Sequence, residues 1–261
     1  MSADSVLVER GSVTVVTLNR PQKLNSWNAG MRARLREVVE DCARDPELRV
    51  LVLTGAGRAF SAGEDVSEMG DLTRIGTRAF RVEARTIHDV FDLIESIEVP
   101  VIAAFDGVAA GGGFELALSC DFRILGEKAR LVMPEARVGL IPGSGGCSRL
   151  VRHIGLGRAK ELVMLGATIP AARALELGLA TEVVADGGAL AAAHALAERL
   201  MTLAPLAVGM AKVVLNTCTD VDAETGRRLE RLAQSTLKLT QDHAEGAAAF
   251  AEKRPPKWTG R

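Results

Sequence analysis

Apolar positions follow two rhythms along this chain, and the change from one to the other divides it. Up to about residue 155, short apolar runs alternate with stretches of helical spacing; beyond it, helical spacing dominates. Val6-Leu7-Val8 and Val13-Thr14-Val15-Val16-Thr17-Leu18 read as strands joined at Arg10-Gly11-Ser12, a hairpin. After Asn19-Arg20-Pro21, the residues Met31, Leu35, Val38, Val39 and Cys42 recur at the spacing of one helix face. Val50-Leu51-Val52-Leu53-Thr54 is apolar without alternation, which predicts a strand covered on both faces. The order strand, helix, strand repeats with Val101-Ile102-Ala103-Ala104-Phe105, a helix after Gly111, and Phe122-Arg123-Ile124-Leu125. Such repetition predicts parallel sheet, although periodicity does not separate a doubly wound sheet from a coil of β-β-α turns. After Gly155 the pattern predicts helices broken at Pro170 and Pro205, with Thr181-Glu182-Val183-Val184 as the only late strand.

Composition narrows the class. With 261 residues, 48% apolar and 25% charged, the chain can build a full-sized core. A net charge of −1 offers no general attraction to nucleic acid or membranes. No apolar run approaches the roughly 18 residues of a spanning helix, and Met1-Ser2-Ala3-Asp4-Ser5 lacks the features of a signal peptide. The expectation is a cytoplasmic protein. Cys42, Cys120, Cys147 and Cys218 are scattered, and His88, His153, His194 and His243 are isolated, so neither a metal site nor a histidine-based triad is expected. The glycine-rich stretches match neither the G-x-G-x-x-G of dinucleotide folds nor a P-loop.

The chemistry concentrates between Val108 and Gly146. Gly111-Gly112-Gly113 precedes a helix-forming run that contains Glu115, and Met133-Pro134-Glu135 is followed by Ile141-Pro142-Gly143-Ser144-Gly145-Gly146. Glycines here let the backbone approach a ligand, and the N–H groups at a helix start attract developing negative charge. A carboxyl pair suits the addition of water to a double bond, one group taking a proton from water and the other giving one to carbon. Two neighbouring carboxylates repel, so one holds a proton more tightly. On spacing alone, the commoner arrangement is two exposed helix-start glutamates.

From about Val13 onward the chain resembles the crotonase, or enoyl-CoA hydratase/isomerase, superfamily. The resemblance is carried by Ala59-Phe60-Ser61-Ala62-Gly63-Glu64-Asp65, the two glycine-glutamate stretches, and the closing Glu245-Gly246 to Gly260. It implies a crotonase-like right-handed spiral of β-β-α units with a C-terminal helical trimerisation region: residues 1–195 as the core with the active site, residues 196–261 as the oligomerisation region, assembled into homotrimers or homohexamers. It further implies a hydratase acting on an acyl-CoA thioester, with coenzyme A as part of the substrate and no separate cofactor. Glu115 and Glu135 would be the acid/base pair, the N–H groups of Gly112 and Glu64 the oxyanion hole, and Gly143 a water-positioning residue. Lys23, Leu24, Ala62, Asp65 and Val66 would line the coenzyme A channel, while Phe250 and Lys253 would reach the nucleotide from an adjacent subunit. On plain sequence, Phe250 reads instead as a core anchor and Lys253 as a solvated charge.

Two positions depart from the family pattern. Glu64 stands where a small or apolar residue is common; its carboxylate disfavours an enolate nearby unless it points away, is protonated, or meets a cation. Ser67 replaces a lysine. The acyl pocket is expected from Met69 to Glu83, read as a mobile lid. A double-bond isomerase of the same family could work with Glu135 alone. One branch of the family binds RNA through a basic helix; Arg32 and Arg36 share a helix face here, but Glu37, Glu40 and Asp41 interrupt it and aromatic residues total 3%.

Overall fold

A computed structural model describes residues 5–65, 67 and 76–261. In chain order its elements are β1 (Val6–Glu9), β2 (Val13–Leu18), a 3-10 turn (Pro21–Lys23), α1 (Ala29–Arg44), β3 (Val50–Gly55), β4 (Ala59–Ser61), α2 (Gly76–Ser96), β5 (Val101–Phe105), β6 (Val108–Ala110), α3 (Gly112–Ser119), β7 (Phe122–Gly126), β8 (Arg130–Val132), a second 3-10 turn (Glu135–Val138), α4 (Gly146–Leu165), β9 (Thr168–Pro170), α5 (Ala171–Glu176), β10 (Glu182–Val184), α6 (Ala189–Met201), α7 (Pro205–Cys218), α8 (Ala223–Leu237) and α9 (Gln241–Glu252).

The strands form two sheets. One is six-stranded, ordered β1-β2-β3-β5-β7-β10; the other is four-stranded, ordered β4-β6-β8-β9. The β1–β2 hairpin is antiparallel, while β2, β3, β5, β7 and β10 run parallel. In the second sheet β4, β6 and β8 are parallel and β9 closes the edge antiparallel. The chain therefore repeats one unit: a long strand in the first sheet, a short strand in the second, then a helix, as in β3-β4-α2, β5-β6-α3 and β7-β8-α4. This is the expected spiral of β-β-α turns.

The unbroken apolar run of β3 has the expected cause. Val50 and Val52 face a small cluster with Val15, Ile102 and Ala104, closed by Ala189, Ala193 and Ala197 of α6. Leu51 and Leu53 face the main core, with Leu18, Met31, Phe60, Phe91 and Phe114. Residues 195 and 196 both lie within α6, one continuous helix on the sheet. The expectation of a single late strand is corrected by β9, which lies before β10; its three residues are too few to show a period against the helices on either side.

The helical C-terminal region is tied to the core by charge as well as by apolar contact. Lys212 of α7 is buried, and its Nζ lies 2.8 Å from Asp121 Oδ2 while donating to Ile94 O and Val99 O. Asp121 Oδ2 also accepts the Val101 N–H at 2.7 Å. Removing one partner of such a pair strands a buried charge. Lys212→Met is expected to lower unfolding stability by about 3–5 kcal/mol, read by urea denaturation, and Lys212→Met with Asp121→Asn should recover part of that loss.

Candidate active site

Helix α3 is buried almost throughout, from Gly113 to Ser119, and Glu115 is its one ionisable residue. Its first turn is set by Gly111, at φ 52, whose N–H donates to Val132 O in β8 and whose carbonyl accepts the N–H groups of both Phe114 and Glu115. The Gly112 N–H is left at the open end of the helix, where no intrahelical acceptor exists. Glu115 is only 3% exposed. Its Oε1 accepts two backbone N–H bonds, from Ser144 at 2.7 Å and Gly146 at 2.8 Å. A Cβ on Gly146 would stand 2.9 Å from that oxygen, so glycine is needed for this grip.

Glu135 opens the second 3-10 turn, behind Pro134. Its Oε1 lies 2.9 Å from where a Cβ on Gly111 would stand, and its Oε2 is buried with no hydrogen-bond partner among the described residues. The two carboxyls therefore flank the start of α3 in different surroundings. Burial raises the Glu115 carboxyl above its ordinary range; the Gly146 and Ser144 N–H groups pull it back, and the charge of Glu135 pushes it up again. Burial also raises Glu135, without comparable donors. Beside the pair, burial and both glutamates push up the Cys147 thiol.

A second loop closes on the same helix start. Asn25 Nδ2 donates to Ala56 O and Ala59 O, Ser61 Oγ donates to Asn25 O, and the Ala62 N–H donates to Leu24 O. The last of these bonds sets Leu24 beside Ala62, while Lys23 is exposed at the end of the first 3-10 turn. Gly63 adopts φ +85, and a Cβ there would lie 2.9 Å from Ala110 O and 3.0 Å from Gly112 N. The loop peptide thus presses directly on the first N–H of α3. Glu64 forms an isolated parallel bridge with Trp27, and its Oε1 lies 3.5 Å from Arg32 Nη1. The misplaced carboxylate meets a cation of α1. Asp65 turns inward: its Oδ2 accepts from Arg20 at 2.9 Å and its Oδ1 from Ser67 Oγ at 2.7 Å, and these bonds hold its carboxyl down at about 2. Ser67, in place of the family's lysine, serves as a brace for this loop.

Two carboxyls and two backbone turns thus meet at the start of α3. Residues 9–261 match the enoyl-CoA hydratase/isomerase family. The chain belongs to this family. It is 38% identical to a short-chain-enoyl-CoA hydratase of Clostridium acetobutylicum over 256 residues, 97% of each chain. It is 36% identical to a crotonyl-CoA hydratase of Syntrophomonas wolfei, again over 97% of each. The crystal structure of an enoyl-CoA hydratase from Bacillus anthracis superposes with a TM-score of 0.93 at 37% identity, covering 98% of this chain and 100% of that one.

Within this enoyl-CoA hydratase/isomerase chain, other expected residues divide. Gly143 is exposed in the loop that grips Glu115. Phe250 is 89% exposed, which corrects the core-anchor reading: α9 presents it outward. Lys253 caps α9 in the left-handed region and is exposed. Val66 lies outside the described residues, as do residues 69–75 of the expected lid; from Gly76 onward that segment is the start of α2 rather than loop. The arginines of α1 pair with acids, Arg34 with Glu37, Arg36 with Glu40, and Arg44 with Glu40, so this helix presents ion pairs rather than a basic stripe. No group of three or more His, Cys, Asp or Glu residues that could hold a metal ion occurs among the described residues. No single described helix is long and apolar enough to cross a membrane.

Two residues that no sequence motif marks, Arg149 and His88, also hold the Glu115 loop. Arg149 is buried in α4; it donates to Ser144 O at 2.8 Å and pairs with Asp92 and Glu95 of α2. His88 Nδ1 lies 2.8 Å from Ser144 Oγ. Only the fold brings α2 behind the Ser144 loop, and neither residue sits in a motif.

The surroundings of Glu135 make a pH-dependent prediction. Because burial raises its carboxyl, the folded chain favours the protonated form. That advantage is fully present below about pH 4.5, the ordinary value, and is lost as pH rises through the raised one. Glu135→Gln is neutral at every pH. It is expected to melt close to wild type below pH 4.5 and increasingly above it toward neutrality, read by thermal denaturation across that range.

Proposed function

We propose that this chain adds water across the 2,3 double bond of a trans-2-enoyl-CoA thioester. The observation that carries this reading is the contrast between the two carboxyls. Glu115 is gripped by two N–H donors that favour its charged form, while Glu135 keeps a buried oxygen without a donor. Glu115 takes the proton of the attacking water, which the Gly143 N–H helps to hold; Glu135 delivers a proton to C2 as the hydroxyl adds at C3. Negative charge passes through the thioester oxygen as an enolate, received by the N–H groups of Gly112 and Glu64. The close approach of Gly63 to Gly112 N supports that site.

Lys23, Leu24, Ala62, Asp65 and Val66 line the coenzyme A channel in this proposal, with Asp65 acting through the shape of its loop. Phe250 and Lys253 meet the nucleotide end of a neighbour's substrate within a trimer or hexamer, a role that suits an aromatic ring left outside its own core. The enzyme works in the cytoplasm with no resident cofactor.

Crotonyl-CoA is the test substrate. Loss of its conjugated-thioester absorbance, with 3-hydroxybutyryl-CoA as product, is the expected result. If the chain leaves crotonyl-CoA and longer 2-enoyl-CoAs unchanged but converts a 3-enoyl-CoA into the conjugated isomer, the isomerase reading replaces hydration.

A further inference from the structure

The loop that grips Glu115 is tethered from behind by α2 and α4. Ser144 is held at three points: its N–H donates to Glu115 Oε1 at 2.7 Å, its carbonyl accepts from Arg149 at 2.8 Å, and its hydroxyl lies 2.8 Å from His88 Nδ1. The flanking residues are Gly143 and Gly145, the latter at φ +94, so the backbone here has little stiffness of its own. The direction of the Ser144 N–H must then be set by what holds the residue. Two of its three anchors lead to α2: His88 directly, and Arg149 through Asp92 and Glu95. The His88 ring also stands beside the water-positioning loop, with Cε1 3.8 Å from where a Cβ on Gly143 would be.

We propose that His88 is a positioning residue for hydration: through the Ser144 hydroxyl it fixes the peptide that aims Glu115 at the water. The role assigned to the imidazole runs through Ser144, not through contact with the reacting atoms. Its bond to Ser144 can run either way, from Ser144 O–H to a bare Nδ1 or from Nδ1–H to the serine oxygen, and either fixes the side chain. The inference rests on Glu115 acting on the water.

A double-mutant cycle on crotonyl-CoA provides the test. Ser144→Ala removes one oxygen, His88→Leu removes the ring nitrogens, and His88→Asn keeps a polar atom near the Nδ1 position. Each of the first two is expected to lower kcat about five- to tenfold, the size of one hydrogen bond, with KM changed less than about twofold and melting temperature nearly kept. The double variant should be no slower than the slower single one, and His88→Asn should recover most of the rate. Losses that multiply, or a lowered melting temperature with kcat unchanged, overturn the positioning role. Glu115→Gln runs alongside: if it is inactive while the cycle shows no coupling, only the role of His88 falls. If Glu115→Gln keeps full activity, the parent reading falls with it.

Discussion

Glu135→Gln is expected to reduce kcat for crotonyl-CoA hydration by about 10²–10⁴-fold while KM stays close to wild type. The amide keeps the shape of the carboxyl, but its N–H protons are far too weakly acidic to be given to C2. Glu115→Gln should fall by a similar factor for a different reason. Its amide oxygen still accepts from Ser144 and Gly146, so the fold is kept while the base is lost. Because both groups act on one event, the double variant should be little slower than either single one. Steady-state kinetics on purified, folded variants separates this from a structural role, since a carboxyl that merely filled space would tolerate its own amide.

Gly63→Ala is the second large effect, and it acts without touching either glutamate. Gly63 sits at φ +85, where a side chain is strained, and the added carbon would lie 2.9 Å from Ala110 O and 3.0 Å from Gly112 N. Backbone atoms cannot swing aside, so the loop must move away from the start of α3. That movement separates the N–H groups of Gly112 and Glu64, which are proposed to receive the enolate oxygen. Losing one such donor costs about 10²–10³-fold in kcat, and the variant should show at least that loss. It should also bind an enolate-mimicking CoA analogue more weakly, by a larger factor than it loses affinity for crotonyl-CoA, as titration calorimetry can show. Equal losses for both ligands would mean that only the channel was disturbed.

The sequence made some of this plain and hid the rest for physical reasons. The central strands β3 and β5 are legible because burial on both faces demands unbroken apolar runs, as in Val50 to Leu53 and Val101 to Phe105. The glycine-glutamate stretches were legible because close backbone approach permits few other residues. The second sheet was hidden, since β4, β6, β8 and β9 have three residues each and too little length for a period. The partner of Glu64 was hidden as well. A carboxylate beside an oxyanion donor looked like a conflict until α1 placed Arg32 at 3.5 Å from it. His88 looked isolated because its partner lies in another glycine-rich loop. On plain sequence Phe250 reads as core, because burial is the commoner fate of a large apolar ring, and only the resemblance gives it a role on the exposed face where it sits.

The most direct test of the central claim is a reaction of crotonyl-CoA in ¹⁸O-labelled water, followed by mass spectrometry of the CoA products. A carboxyl pair that adds water predicts 3-hydroxybutyryl-CoA carrying the heavy oxygen on C3, formed by wild type and lost in both Glu115→Gln and Glu135→Gln. Contradiction would be a wild-type product without the label, or label arriving at the same rate when either carboxyl has been replaced.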